Sequence, residues 1–143
     1  MSDFPDDFGQ QNFPSYGIIS VEEAFTNIAG SADSEVFHID GKGILYSAAF
    51  DSSDADMLVG SSFTVEIDTK TIFDLTLQQM LDRGLITGVN DILTLACYNT
   101  DTPRFTLCVK PGITFYTKFD VVFHNTSANV VTIYYRALFA LVA

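Results

Sequence analysis

Two neighbouring segments decide the fold: Thr117-Lys118-Phe119-Asp120-Val121-Val122-Phe123-His124, and Val130-Val131-Thr132-Ile133-Tyr134-Tyr135-Arg136-Ala137-Leu138-Phe139-Ala140-Leu141-Val142. In the first, Phe119, Val121 and Phe123 alternate with Asp120, Val122 and His124, the period of a strand with one buried face. The second is rich in β-branched and aromatic residues and carries a single charge, Arg136. The polar linker Asn125-Thr126-Ser127-Ala128-Asn129 between them predicts an antiparallel hairpin. The run from Tyr134 to Val142 is apolar on both faces, with Tyr135, Ala137, Phe139 and Leu141 on one and Tyr134, Leu138 and Val142 on the other. Such a strand is central and covered twice, or buried at a subunit interface.

Upstream, Phe37 and Ile39 alternate with His38 and Asp40, and Ile44 to Phe50 resumes after the turn Gly41-Lys42-Gly43, which predicts a second hairpin. Phe63, Val65 and Ile67 alternate with Thr64, Glu66 and Asp68, and short strands are expected at Thr71 to Phe73, 92–99, 104–109 and 113–124, the last after the turn Pro111-Gly112. Two helices are expected. Ser20-Val21-Glu22-Glu23 has the form of a capping box, and Val21, Ala24, Phe25 and Ile28 follow at i, i+3, i+4 and i+7, predicting a helix over 21–29 closed by Gly30. The second would be capped by Asp74, bury Leu77, Met80 and Leu81, and stop at Gly84. These helices are available to cover one face of the closing strand.

The resulting expectation is an all-β, antiparallel two-layer sandwich with two short helices. A jelly roll is favoured over an immunoglobulin-like sandwich, because the chain has no tryptophan to stand between paired cysteines. Residues 1–16 are read as a flexible N-terminal arm and 17–143 as the sandwich domain. Pro5, Gly9 and Pro14 deny the arm any regular period. Its rings, Phe4, Phe8, Phe13 and Tyr16, are set among Asp3, Asp6 and Asp7, a composition suited to docking on a partner by folding on it.

The formal charge is −11 over 143 residues. Residues 1–56 hold eleven acidic side chains against one basic, Lys42, and residues 57–143 hold seven against six. A field of that sign repels phosphate backbones and anionic membranes, so neither nucleic acid nor membrane is an expected partner. The apolar segments are too short and too charged to span a bilayer as a helix, and the first residues lack the pattern of a secretory signal, so a soluble protein is expected. Cys97 and Cys108 lie in apolar runs at a spacing that matches no metal or redox motif, and read as buried thiols. A disulfide between them is geometrically possible if their strands are neighbours.

Few residues suggest chemistry. His38 and His124 are the only histidines, and neither has a metal-ligand partner in its own segment; they read as solvent-facing or edge residues, able to pair only if their strands are neighbours. Asp51, Asp54 and Asp56, with Ser52 and Ser53, form the densest run of oxygen donors, but lack the glycine and distal glutamate of a calcium-binding hand. Glu66 and Asp68 share a strand face at a spacing that suits paired carboxylates, although two acids alternating with apolar residues are more often a wet face. No serine sits in a nucleophile-elbow context, and no evident acid orients either histidine. Asn125-Thr126-Ser127 has the form of a glycosylation acceptor. No catalytic, cofactor or metal residue is assigned.

With its acidic aromatic arm, its sandwich-like strand order, and the closing segments Pro111-Gly112-Ile113-Thr114-Phe115 and Val130 to Arg136, the chain resembles small structural proteins of tailed bacteriophage virions, in particular capsid decoration or cement proteins. The resemblance implies a non-enzymatic protein that binds and stabilises a lattice of major capsid protein or another virion protein. It implies assembly in the host cytoplasm, residence on the capsid surface, a homotrimer, and an arm that reaches along a neighbour or the shell. Phe4, Phe8, Phe13 and Tyr16 would then be partner-binding, and Tyr134, Arg136, Leu138 and Phe139 would form an oligomer interface. Two other classes fit the fold: a receptor- or carbohydrate-binding module, and a cupin-type enzyme, which needs more histidines than the two present.

Overall fold

The computed structural model describes residues 15–54, 60–83, 91–99, 101 and 104–143. It is all-β, with ten strands in two antiparallel sheets and one short helix among the described residues. The strands are β1 (Ser20–Ile28), β2 (Asp33–Asp40), β3 (Gly43–Ser52), β4 (Ser62–Ile67), β5 (Lys70–Thr76), β6 (Leu93–Asn99), β7 (Arg104–Val109), β8 (Ile113–Phe115), β9 (Lys118–His124) and β10 (Val131–Leu141); the helix α1 is Leu77–Asp82. One sheet runs β1-β10-β3-β7-β6, with β8 also paired to β3, and the other runs β2-β9-β4-β5.

Three expectations are corrected. The segment read as a helix over 21–29 is strand β1, paired with β10 without interruption from Ser20↔Phe139 to Ile28↔Val131. Nine residues of ladder outweigh one capping box, since an isolated helix that short is marginal in water. Neither expected hairpin forms. Consecutive strands β2 and β3, like β9 and β10, lie in different sheets, so Gly41-Lys42 and residues 125–130 are crossovers between layers. Gly41 makes its crossing at φ +113, a conformation that a side chain would strain. The expected strand 113–124 is two: β8 pairs with β3 and β9 with β2 and β4. The break between them is held by Asp68, whose carboxylate accepts the backbone N–H groups of Tyr116, Thr117 and Lys118.

The second helix is present but starts later than expected. Thr76 is its N-cap, and Thr76 and Gln79 exchange the reciprocal bonds of a capping box. Leu77 and Met80 are fully buried, and α1 packs against β5 and β6, edge strands of the two sheets. Gly84 lies outside the described residues.

Inward-facing side chains of both sheets fill one core. Phe119, Val121 and Phe123 are buried as expected, and Phe37 sits 6.1–6.3 Å, ring to ring, from Phe50, Phe119 and Phe139. Phe63 on β4 reaches across the layers to Phe105 on β7 and along its own sheet to Phe123. Asn125 is buried, and its amide donates to the carbonyls of Ile28, Ala29 and Asn129. A glycosylation acceptor needs that amide free and exposed, so the acceptor reading of Asn125 does not fit the folded chain. No described helix is long and apolar enough to cross a membrane.

Candidate functional site

The outer face of the larger sheet follows from its registers. Strand alternation places Val21, Glu23 and Phe25 of β1 on the side away from the core; Leu138, Arg136 and Tyr134 stand opposite them on β10, and Ser47, Ala49 and Asp51 next on β3. On β7 and β6 the same face carries Cys108 and Thr106, then Thr94 and Cys97. Its apolar side chains are uncovered: Val21, Phe25 and Tyr134 are 56%, 60% and 51% exposed. Ile18 and Ile19, leading into β1, are also exposed.

Specific contacts order this face. The Phe25 and Tyr134 rings lie 5.8 Å apart, and Arg136 forms an ion pair with Glu23. Around them is a shallow depression of about 380 Å³ that also takes in Ala49 and Asp51. A second, of about 250 Å³, lies between Leu138, Arg136, Cys108 and Pro111. At the rear of the first, the Tyr135 hydroxyl donates to Glu22, and burial together with that carboxylate pushes the hydroxyl up to about 12.

Of the residues assigned to an oligomer interface, Tyr134, Arg136 and Leu138 share this outer face. Phe139 is on the other side of β10, half-buried and packed against the core beside Phe37. Of the arm residues, Tyr16 bridges Val142 at the end of β10, while Phe4, Phe8 and Phe13 lie outside the described residues. Cys97 is exposed and Cys108 half-buried on the outer face, both as free thiols, which corrects the buried reading. Asp51 faces the depression, whereas Asp54 turns to Ser52 and to the N–H of Thr132, so the two do not converge; Asp56 lies outside the described residues. Glu66 and Asp68 are likewise apart in role, Glu66 taking Thr71 and Asp68 holding the β8–β9 break.

The smaller sheet has a contrasting, polar outer face that carries both histidines. His38 on β2 meets Asp120 on β9 through Nδ1 and Asp40 through Nε2, at 2.8 Å. Chiefly the Asp120 hydrogen bond, then that of Asp40, raises the His38 pKa to about 9. Lys118 holds the other oxygen of the buried Asp120 at 3.0 Å, which raises its own pKa in turn. Glu35, His38 and Asp120 place donor atoms within 4.8 Å of one another. These carboxylates favour the imidazolium, and Glu35, His38, Asp40, Asp120 and Lys118 form an ion-pair network. The sequence hid this because Val36 is an extra, bulged residue, which puts Glu35 and His38 on one face at a spacing that a regular strand would place on opposite faces.

His124 lies between Asp33, 2.9 Å from Nδ1, and the Thr64 hydroxyl, 2.8 Å from Nε2. Acid, imidazole and hydroxyl stand in the order of a nucleophilic relay. Thr64 is on β4, which is laddered to β9 on one side and β5 on the other, so the amides of its own strand are committed to the sheet. Both histidines therefore do have acid partners, supplied from the neighbouring strand, where sequence reasoning found none.

No family model matches the chain, and no curated protein matches it in sequence.

Proposed function

We propose that this chain is a non-enzymatic assembly protein that binds a protein lattice through the outer face of the larger sheet. The observation that carries the reading is the exposed Val21, Phe25 and Tyr134, with the half-buried Leu138, set on either side of the Glu23–Arg136 pair. It is an apolar patch with aromatic anchors and an arginine ion pair at its centre, residue types enriched at protein interfaces. The closing strand's second apolar face calls for a cover, and neither candidate helix supplies one, since 21–29 is part of the sheet and α1 packs against β5 and β6.

At a finer level we read the strand order as a jelly roll. Paired as β4 with β5, β3 with β7, β2 with β9 and β1 with β10, the chain is one long antiparallel hairpin rolled into two layers. Jelly rolls occur in viral capsid proteins and in lectins, an analogy that ranks functions without assigning one. With it goes the reading of a tailed-phage decoration protein on the capsid surface, in which Phe4, Phe8, Phe13 and Tyr16 of the arm extend the contact to the major capsid protein. A sugar-binding module is the second reading, favoured by the Phe25–Tyr134 ring pair beside Asp51 and Glu23 in one depression.

Sedimentation of the full chain with assembled major-capsid-protein shells, run beside a glycan panel, tests the two together. Binding to shells and to no glycan supports the lattice reading. Glycan binding alone moves the function to the lectin class.

A further inference from the structure

Among the described residues the two sheets have four edge strands longer than three residues, β1, β6, β2 and β5, besides the three-residue β8, which pairs with β3 alone. Three of these carry an extra residue that breaks the register with their neighbour: Val36 in β2, Ile72 in β5 and Ala96 in β6. Bulges at an edge blunt it against pairing with another chain. β1 is the exception. Its nine residues, Ser20–Ile28, run without a register shift, include neither proline nor lysine, and among the described residues pair with β10 alone. Its two charges are already engaged within the sheet, Glu23 by Arg136 and Glu22 by the Tyr135 hydroxyl.

We propose that β1 is a self-pairing edge: two copies of the chain join β1 to β1, antiparallel, about a two-fold axis through Ala24, making one continuous sheet. The register follows from three constraints. Residues opposite each other must point to the same face, so the axis passes through a residue and not between two. An axis at Glu22 or Glu23 sets a glutamate against its own mate, which like charge disfavours. Ala24 is the middle residue of β1, so an axis there pairs the whole strand, with Ser20 opposite Ile28, Val21 opposite Asn27, Glu22 opposite Thr26 and Glu23 opposite Phe25.

In that register Glu22 and its mate end up four residues apart along the strand, about 13 Å, beyond the reach of unscreened repulsion at physiological salt. Glu23 and its mate are diagonal neighbours about 7–8 Å apart, and each is neutralised by the Arg136 of its own copy. On the outer face Phe25 is a diagonal neighbour of the other Phe25, within reach of an aromatic ring, so the Phe25–Tyr134 pair of each copy joins a four-ring cluster across the axis. At the axis itself Ala24 is small and exposed. This two-fold pairing takes the place of the three-fold association expected from the resemblance. It stands apart from the lattice reading, because an edge can pair whether or not the face binds a shell.

Three measurements on the full chain test it. Light scattering is expected to give a dimer. Thr26→Lys, opposite Glu22 of the other copy, tightens that dimer and Thr26→Glu loosens it; two such pairs form per dimer, so each shift is on the order of ten-fold. With Cys97 and Cys108 replaced by serine, Ala24→Cys is expected to oxidise to a linked dimer, its Cβ about 5 Å from its mate. Asn27→Cys, about 20 Å from its own mate, is expected not to link. A monomer, a trimer, a dimer indifferent to the charge at Thr26, or a dimer that links through neither cysteine overturns the proposal. So does a dimer lost on deleting residues 1–14 while its Ala24→Cys form stays unlinked, which assigns the contact to the arm.

Discussion

Phe25 on β1 and Tyr134 on β10 stand directly opposite each other with their rings 5.8 Å apart, both more than half exposed, on the face of the sheet that turns away from the core. An aromatic cross-strand pair contributes about 0.2–1 kcal/mol to a sheet. The proposed binding face would cover both rings.

Replacing both rings therefore separates stability from binding. The double variant Phe25→Ala/Tyr134→Ala is expected to lose about 1–2 kcal/mol in urea unfolding, with a coupling between the two of about 0.5–1 kcal/mol in a double-mutant cycle. A loss above about 4 kcal/mol would mean that the pair belongs to the core.

Phe63 is the contrasting case. It is fully buried and its ring bridges the layers, 5.9 Å from Phe105 and 4.8 Å from Phe123. Phe63→Ala is expected to destabilise by about 3–5 kcal/mol, measured by the same urea titration.

His38 gives the folded state a proton that the unfolded chain releases earlier. Its folded pKa is about 9, against 6.5 ordinarily, chiefly because of Asp120. The stabilisation is fully present below pH 6.5 and is lost as pH rises through 9. The urea midpoint is expected to fall across that window, and the fall to shrink in His38→Gln. Titration of the imidazole by NMR with a midpoint near 6.5 would refute the ion-pair network.

Asp68 has the opposite sign. Backbone N–H groups, first that of Thr117 and then those of Tyr116 and Lys118, hold its carboxyl down at about 2. Its contribution is present above pH 3.8 and lost as pH falls through 2. Asp68→Ala is expected to speed amide exchange at Tyr116, Thr117 and Lys118 at neutral pH. Unchanged exchange there would show that the β8–β9 break holds without it.

These residues also show what a sequence reader can and cannot see. Phe119, Val121 and Phe123 alternate so cleanly that both their strand and its buried face were legible. β1 was not, for an instructive reason: Val21 and Phe25 face out while Ala24 and Ile28 face in, and apolar residues on both sides of a strand mimic the i, i+3, i+4, i+7 stripe of a helix. The feature that disguised the strand is the one that leaves its outer face apolar. The crossovers at Gly41-Lys42 and after His124 are as short as hairpin turns, and which sheet a strand joins depends on partners far away in the chain, so local pattern could not separate the two. The partners of His38 and His124 were hidden likewise, because Asp120 and Asp33 reach them only through the β2–β9 register.

The most direct test of the binding face uses the protein's own thiols, since Cys108 borders the depression beside Leu138 and Cys97 lies exposed on the same face. The measurement is the alkylation rate of both cysteines in the full chain, free and sedimented with assembled major-capsid-protein shells, for the wild type and for Phe25→Asp/Tyr134→Asp. The account predicts that the wild type sediments with its thiols protected, and that the double variant stays folded, remains in the supernatant and reacts as the free protein does. Sedimentation of both proteins with thiols that react as fast as in solution would contradict it, because the shell would then be held by some other surface.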